Sequence, residues 1–275
     1  MHLKVLQLTI VAVAFISSST YSASLERIIN GSAARPKELP YQVYFYAFIV
    51  PVGWARTCGG SIISPRLILT AAHCLKGDIT HIDVYLGANN VTNIEEKGQQ
   101  RLLLDISHVV LHEAYNPNTF INDIALIKLP ADLQFDDYIQ AVALPEDDLT
   151  SYSHRAAIAS GWGLVDFVHR RRTDILQKLD VIVMSNNECS AEILKRAPGK
   201  FFTSSFICLM PPKGTSPCNG DSGGPLVVKD SFNKPLLIGI TSHSIYACEK
   251  GEPSVYTRVA AFLDWIEQEG RIQSW

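Results

Sequence analysis

The fold of this chain is decided by the stretch Gly-Asp-Ser-Gly-Gly-Pro at residues 220–225, in which Ser222 is flanked by small residues. Taken alone, a serine between glycines is more often part of a tight turn than a nucleophile, because glycine readily adopts turn conformations. Two earlier stretches, LTAAHC at residues 69–74 and NDIAL at residues 122–126, contribute His73 and Asp123. Each of these also has an ordinary structural explanation, so the three stretches have to be weighed together.

Together, the three stretches supply the three residue types that one reaction requires. A serine hydroxyl is a poor nucleophile unless a base takes its proton and a carboxylate orients that base. The order His73, Asp123, Ser222 and the residues around each of them resemble the trypsin and chymotrypsin family of serine proteases. The resemblance covers nearly all of the chain after residue 27, and it is closest to arthropod digestive enzymes of the chymotrypsin, elastase and collagenolytic type.

Further stretches extend the resemblance and carry its implication for the fold. CGGSII at residues 58–63 is similar to the strand before the family's catalytic histidine, and VYTRV at residues 255–259 is similar to the last strand of its second barrel. The resemblance implies an all-β protein of two six-stranded antiparallel β-barrels, at residues 28–140 and 141–275. The active site would lie between the barrels, and an α-helix would end the chain.

The distribution of apolar residues agrees with a mostly β protein. Short runs rich in β-branched and aromatic residues alternate with Gly, Pro and Asn clusters. One amphipathic helix is predicted, at the C-terminus, with Val259, Phe262 and Ile266 on its apolar side. The chain is 47% hydrophobic and 19% charged, with a net charge of −3, so it is not a disordered protein. This charge gives no reason to expect nucleic acid or an anionic membrane as a partner.

The first residues have the composition of a signal peptide. Lys4 precedes an apolar run at residues 5–16, and small polar residues follow it. A membrane anchor is the alternative, but this run is shorter than the roughly twenty residues that span a bilayer. We therefore expect a signal peptide at residues 1–22, a short activation propeptide at 23–27, and a secreted, extracellular peptidase domain at 28–275.

All six cysteines lie downstream of this segment, and an even number of cysteines in an exported chain indicates disulfides. Metal binding is the alternative, but no two cysteines have the CxxC spacing of a metal site. Spacing alone leaves the pairing open. The family resemblance implies the pairs Cys58 with Cys74, Cys189 with Cys208, and Cys218 with Cys248.

The resemblance also implies a role for each residue of the site. Ser222 would attack the peptide carbonyl, His73 would accept its proton, and Asp123 would orient the imidazole. The backbone N–H groups of Gly220 and Ser222 would form the oxyanion hole. These roles describe acyl transfer from a peptide to the serine and then to water.

Activation is implied by the stretch LERIING at residues 25–31, which resembles the family's activation junction. Cleavage after Arg27 would free the amine of Ile28, and that amine would pair with Asp221 in the interior. The alternative is an ordinary exposed arginine before a strand.

Four serines define the expected substrate site. Ser216 lies six residues before Ser222 and aligns with the floor of the primary specificity pocket, where trypsin-like members carry Asp. Ser244 and Ser254 align with the pocket walls, and Ser242 with the strand that pairs with substrate. Without a carboxylate at the floor, a buried Lys or Arg would be uncompensated. We expect a preference for uncharged residues such as Leu, Met or an aromatic before the scissile bond, with Ala or Val next.

Two departures from the family pattern and two acidic residues near the pocket also affect the expected site. Ala88 and Gly98 stand at the acidic positions of the family's calcium loop, so calcium binding is not expected there. His243 stands where the family usually has Trp. Glu249 and Glu252 lie in the pocket loop, and their approach to the pocket would admit a basic residue.

Other functions have to be set against this prediction. Gly-x-Ser-x-Gly also occurs in α/β-hydrolases, but that fold places its acid and histidine after the serine, which leaves His73 and Asp123 unexplained. A catalytically inactive homologue acting as a binding or regulatory protein is one alternative, and a protease acting on a single partner is another. We expect no cofactor and no metal. The expected partners of the monomer are protein or peptide substrates, an activating trypsin-like protease and protein protease inhibitors.

Overall fold

The computed structural model describes residues 31–50, 53–199, 202–212, 214–244, 248 and 253–271. The expected signal peptide, the propeptide and the Arg27–Ile28 junction lie outside these residues, and so do Glu249 and Glu252. Among the described ranges, no helix is long and apolar enough to cross a membrane.

The first strand, β1 (Ser32–Ala33), has only two residues and pairs with the second sheet. The first sheet begins after it. Its seven strand segments are β2 (Gln42–Ile49), β3 (Trp54–Ser64), β4 (Leu67–Thr70), β5 (Ile79–Leu86), β6 (Gln100–Asp105), β7 (Val109–Leu111) and β8 (Ala125–Lys128). They are antiparallel in the order β6-β5-β2-β3-β4-β8-β7. The two edges, β6 and β7, are consecutive in the chain and are separated by one 3-10 turn, Ile106–His108. The sheet curls into a half-barrel, and this bend connects its two edge strands, which do not pair with each other.

The second sheet is a closed barrel of six strands. These strands are β9 (Ala156–Gly161), β12 (Gln177–Val183), β13 (Phe206–Met210), β14 (Pro225–Lys229), β15 (Pro235–Ser244) and β16 (Ser254–Arg258). The ring closes because β9 pairs with both β12 and β14. A separate hairpin, β10 (Leu164–Asp166) with β11 (Arg171–Arg172), projects after β9. The predicted fold is confirmed, although β1 joins the second barrel and not the first.

The alternation of side chains along the strands explains why these segments form barrels. Successive residues of a strand point to opposite faces, so an alternating sequence buries one face only. In β5, Ile82, Val84 and Leu86 are buried in the core, while Asp83 and Tyr85 between them are partly exposed. The same alternation along the neighbouring strands gives the first barrel its continuous apolar interior.

Trp162 joins the two barrels. Its ring is 2% exposed and packs edge-on against Tyr44 of β2, with 5.4 Å between the ring centroids. Its Nε1–H donates to the Asn89 carbonyl at 3.1 Å. A residue next to the end of β9 is thereby fixed to the first barrel, which sets the relative position of the two halves of the cleft between them.

The described residues contain three helices: α1 (Ala72–Leu75), α2 (Asn186–Arg196) and α3 (Leu263–Gly270). The predicted terminal helix corresponds to α3 and the 3-10 turn before it, Val259–Phe262, and this segment buries Ile266. Sequence analysis missed α2. Its signal was a capping box, in which the Ser185 side chain accepts from the Glu188 N–H and the Glu188 side chain accepts from the Ser185 N–H.

Candidate active site

His73 lies on a single helical turn that several contacts hold in place. The turn α1 follows the fully buried strand β4, and the Cys58–Cys74 disulfide attaches it to β3. Arg56 Nη1 donates to the carbonyl oxygens of His73 and Cys74 at 2.8 and 3.0 Å, which satisfies groups that a short helix leaves without partners. These contacts fix the backbone of His73. Its side chain is 19% exposed, so part of the imidazole ring faces the cleft.

Asp123 is fully buried just before β8, and three donors hold its carboxylate. Oδ1 accepts from the His73 backbone N–H at 2.8 Å, while Oδ2 accepts from His73 Nδ1 at 2.8 Å and from Ser242 Oγ at 2.6 Å. Burial alone would raise the pKa of Asp123, but the charge and hydrogen bonds of His73, with the Ser242 hydroxyl, keep it below its usual value. The carboxylate is therefore an anion that fixes the ring orientation of His73.

Ser222 lies in a loop that both barrels hold. The Ser222 carbonyl accepts from Gly59 N of the first barrel at 2.7 Å, and Gly223 N donates to Thr241 O of the second at 2.8 Å. Ser222 and His73 line one cleft of about 460 Å³. Within the described part of the chain, Ser222 Oγ and His73 Nε2 form no direct hydrogen bond. In unliganded enzymes such a bond is commonly long and shortens when substrate binds.

The backbone N–H groups of Gly220 and Ser222 have no acceptor among the residues that the structure describes. Gly220 has φ +107°, a left-handed conformation that favours glycine. A Cβ at this position would also lie 3.0 Å from Gly163 Cα and 2.5 Å from Arg172 Nη1. Two unused backbone donors beside a serine hydroxyl can stabilise negative charge that develops on a substrate oxygen.

Asp221 is buried, and two backbone groups hold its carboxylate. Oδ1 accepts from Gly163 N and Oδ2 from Cys218 N, both at 2.8 Å. Burial raises the pKa of Asp221 to about 6, although these hydrogen bonds and the charge of Arg172 act in the opposite direction. No described cation forms an ion pair with it. The expected partner, the amine of Ile28, lies outside the described residues.

The three serines predicted to form the primary specificity pocket do not all line the cleft. Ser244 and Ser254, predicted to form the pocket walls, pair across β15 and β16 and line the cleft. Ser216 does not line the cleft. It is 5% exposed, and its hydroxyl donates at 2.7 Å to the carbonyl of Pro217, which does line it. The Ser254 hydroxyl is buried and has no hydrogen-bond partner among the described residues, so it is an unused polar group in the cleft wall.

Two features of the site were not predicted. The Ser242 hydroxyl donates to the carboxylate of Asp123, and Ser242 also lines the cleft, where it was predicted to bind substrate. Phe120 lines the cleft and stacks on His243, with 4.7 Å between ring centroids. Phe120 has φ +56°, which is uncommon for an aromatic residue, and no sequence motif signals this conformation.

The described residues contain one cluster with the ligand types of a metal site, formed by Cys58, His73 and Cys74. Both sulfurs belong to a disulfide, so they are not available as thiolate ligands. In the loop aligned with the family's calcium site, the Glu96 carboxylate accepts from the N–H groups of Asn89 and Asn90 at 2.8 to 3.0 Å. Its oxygens thus serve backbone donors, which are not groups that bind a cation.

Comparisons with known proteins agree with this geometry. The profile of the protein family described as Trypsin matches residues 28–266. A protein named chymotrypsin from Phaedon cochleariae is 35% identical over 92% of this chain and 85% of that protein. One named brachyurin from Leptuca pugilator is 37% identical over 88% of this chain and 98% of its own length. The solved structure titled HL collagenase superposes with a TM-score of 0.76 at 34% identity, covering 90% of this chain and all of the other. All six cysteines are paired as the family resemblance implied.

Proposed function

Since this chain belongs to the trypsin family of serine endopeptidases, we propose that it hydrolyses peptide bonds through Ser222, His73 and Asp123. The observation that carries this proposal is the pair of 2.8 Å hydrogen bonds from His73, one from the ring and one from the backbone, to a single buried carboxylate. Because Nδ1 donates to Asp123, the neutral ring has its basic nitrogen at Nε2, and His73 lines the same cleft as Ser222.

The reaction proceeds in two transfers. Ser222 Oγ attacks the carbonyl carbon while its proton passes to His73 Nε2, and a tetrahedral oxyanion forms. The C–N bond then breaks as His73 returns that proton to the leaving amine, which leaves an ester on Ser222. Water attacks the ester by the same route and releases the acid. Asp123 stays ionised throughout and stabilises the charged imidazole.

The oxyanion would accept hydrogen bonds from the N–H groups of Gly220 and Ser222. These donors are positioned before substrate arrives, so little reorganisation is needed when the charge develops. Loss of one such donor typically lowers kcat by a factor of about a hundred to a thousand.

We infer that the chain is secreted as an inactive precursor and that cleavage after Arg27 activates it. A buried carboxylate that forms no ion pair with a described cation is a site for an ammonium group, and Asp221 has that character, since Arg172 acts on it only at longer range. Its neighbours in the loop include Gly220 and Ser222, so pairing with the Ile28 amine would stabilise the loop that carries both oxyanion donors. The signal peptide, a propeptide at residues 23–27 and the extracellular location belong to this proposal.

For specificity, we propose uncharged residues before the scissile bond. Ser244 and Ser254 line the cleft, Ser216 lies behind its lining with its hydroxyl on the Pro217 carbonyl, and no described carboxylate lines the cleft. A lysine or arginine side chain buried there would lose its hydration without gaining a counter-ion. Leu, Met or an aromatic residue would fill a pocket of this kind.

The test is covalent labelling and turnover by the activated enzyme. A serine-directed fluorophosphonate should label wild type at Ser222 with one group per chain, and Ser222→Ala should abolish both labelling and peptide hydrolysis. His73→Ala should lower kcat by at least about a thousandfold. Ser151→Ala, an exposed serine outside the cleft, is the matched control and should behave as wild type. Equal turnover by wild type and Ser222→Ala would refute the proposal, and labelling of a different serine would reassign the nucleophile.

A further inference from the structure

Arg172 lies directly against the loop that carries the catalytic serine. Its Nη1 is placed where a side chain on Gly220 would begin, 2.5 Å from the Cβ position. The hairpin that carries it is attached to the same loop, because Leu164 N donates to Asn219 O at 3.0 Å and Leu164 pairs with Arg172. Backbone pairing thus positions the main chain of Arg172 next to the loop of Gly220, and the guanidinium lies against Gly220.

The side of the cleft on which Arg172 lies can be assigned from its neighbours. The Cβ position on Gly220 that Arg172 Nη1 approaches is also 3.0 Å from Gly163 Cα, and Trp162, the residue before Gly163, packs against Tyr44 of β2. Tyr44 pairs with Gly59, whose N–H donates to the Ser222 carbonyl. Arg172 therefore belongs to the β2–β3 side of Ser222.

The opposite side of Ser222 is formed by β15 and β16, where Ser244 and Ser254 line the cleft. In the proposed function, that side holds the residue before the scissile bond and the chain upstream of it. The substrate residues after the scissile bond must then run along the surface formed by Gly220 and the β2–β3 pair. Arg172 lies on this surface.

The exposed side chain of Arg172 forms no ion pair within the described part of the chain. Its charge acts at longer range on the buried carboxylate of Asp221, which in the proposed activated enzyme would be paired with the Ile28 amine. The hairpin at residues 164–172 contains three consecutive arginines, Arg170 to Arg172, and one acidic residue, Asp166. Asp166 already binds His169 Nδ1 at 2.8 Å and lies opposite Arg171. A chain with a net charge of −3 thus presents a local excess of positive charge beside its nucleophile.

We propose that Arg172 is a specificity-determining residue that binds a carboxylate side chain of the substrate on the leaving-group side of the scissile bond. This proposal rests on the proposed function and adds a substrate class to it: peptides with Asp or Glu within a few residues after the cut. A guanidinium binds a carboxylate with two parallel hydrogen bonds, which gives both affinity and orientation.

The size and salt dependence of the effect follow from the exposure of the site. An ion pair open to solvent contributes up to about 1 kcal/mol, which corresponds to a preference of about three- to fivefold in kcat/KM. Screening reduces such an interaction, since the Debye length falls from about 10 Å at 0.1 M salt to about 3 Å at 1 M. The preference should therefore be largest at low ionic strength and small at high ionic strength.

The experiment uses activated enzyme, with mass spectrometry to confirm that the arginine hairpin is intact. Internally quenched peptides share one sequence up to the scissile bond and carry Glu, Gln or Lys at the first, second or third residue after it. Wild type should prefer Glu over Gln by about three- to fivefold at one of these positions and should disfavour Lys there. Arg172→Gln should remove the preference, and Arg172→Lys should restore part of it.

Arg171→Gln is the matched control. It removes the same charge from the adjacent residue, which lies opposite Asp166, and it should keep the preference for Glu. Equal kcat/KM for Glu, Gln and Lys peptides in wild type would overturn the proposal, as would a Glu preference that survives Arg172→Gln. Loss of the preference in both variants would show a diffuse effect of hairpin charge and would also overturn it. Failure of the proposed function has a different signature: the Gln peptide itself would not be cut faster by wild type than by Ser222→Ala.

Discussion

Ser242 Oγ donates a hydrogen bond of 2.6 Å to Asp123 Oδ2, the same oxygen that His73 Nδ1 contacts. The second barrel thereby holds the carboxylate of the first. This contact is short and completely buried at the aspartate, so the hydroxyl helps to keep Asp123 ionised.

The first prediction concerns this hydroxyl. Ser242→Ala removes one of three donors from a buried anion, which raises the pKa of Asp123 and loosens the orientation of His73. We expect kcat to fall about tenfold with little change in KM, because the interaction serves the reaction and not substrate binding. Steady-state kinetics on one peptide substrate measure this. Ser244→Ala, two residues further along β15, is the control: it lines the cleft and should change KM and not kcat.

The second prediction concerns how the stability of the uncut precursor depends on pH. The measurement uses the Arg27→Gln variant, which should not be cut at the activation junction. The folded pKa of Asp221, about 6, is above its ordinary value of 3.8. The folded state therefore binds a proton more tightly than the unfolded state, so the stabilisation present below pH 4 is lost as the pH rises through 6.

Asp221→Asn cannot lose a proton and should lack this dependence. Between pH 4 and pH 7.5, the difference in unfolding free energy between the two proteins should shift by about 3 kcal/mol in favour of the variant. Urea denaturation at a series of pH values gives this number. Parallel pH profiles for the two proteins would mean that the carboxylate is not desolvated as the structure indicates.

The third prediction is that the loop at residues 89–99 is stabilised by Glu96 and not by calcium. Glu96→Ala leaves the N–H groups of Asn89 and Asn90 without an acceptor, at a cost of about 1 to 3 kcal/mol. Thermal unfolding should show a lower Tm for this variant and no change for Glu95→Ala, whose side chain is exposed. A rise in the Tm of wild type on addition of calcium, reversed by a chelator, would contradict this assignment.

The fourth prediction concerns the N–H of Gly220, one of the two proposed oxyanion donors, which a substitution at Gly220 should displace. Gly220→Ala forces a Cβ into a left-handed position 3.0 Å from Gly163 Cα, so the peptide N–H must rotate. We expect kcat to fall at least a hundredfold, or about 3 kcal/mol in the barrier, while the protein still folds. Gly53→Ala is the control, since Gly53 also has a positive φ, +65°, but no atom within 4 Å of the Cβ position. Turnover by that variant should be unchanged.

The fold could be predicted from the sequence because its signals are local and repeated. Alternating residues such as those of β5 identify strands one at a time, and the residues around Ser222, His73 and Asp123 identify how the strands are arranged. The capping box of Ser185 and Glu188 is equally local, and reading it would have revealed α2.

The remaining parts of the site depend on the tertiary structure. Ser242 and Asp123 are 119 residues apart, and the sequence around a serine does not indicate which residue its hydroxyl will bind. The stacking of Phe120 on His243 requires a left-handed backbone at Phe120, which its side chain alone disfavours. Arg172 is one of three consecutive arginines in the sequence, and only the pairing of β10 with β11 brings it to Gly220.

The pairing of β1 with β12 sets the length of a molecular tether. Ser32 lies opposite Lys178, and Ala34 N donates to Leu176 O at 2.8 Å, so the chain is anchored to the second barrel from residue 32 onward. After a cut behind Arg27, the new terminus is joined to that anchor by residues 28–31, which reach at most about 14 Å. The amine is then confined to a small volume and has an effective concentration of millimolar or higher. Free amines and metal cations in the surrounding fluid would have to compete with that concentration. Under the proposed activation, we therefore expect activity to depend on the cut itself and to be insensitive to the ionic composition outside.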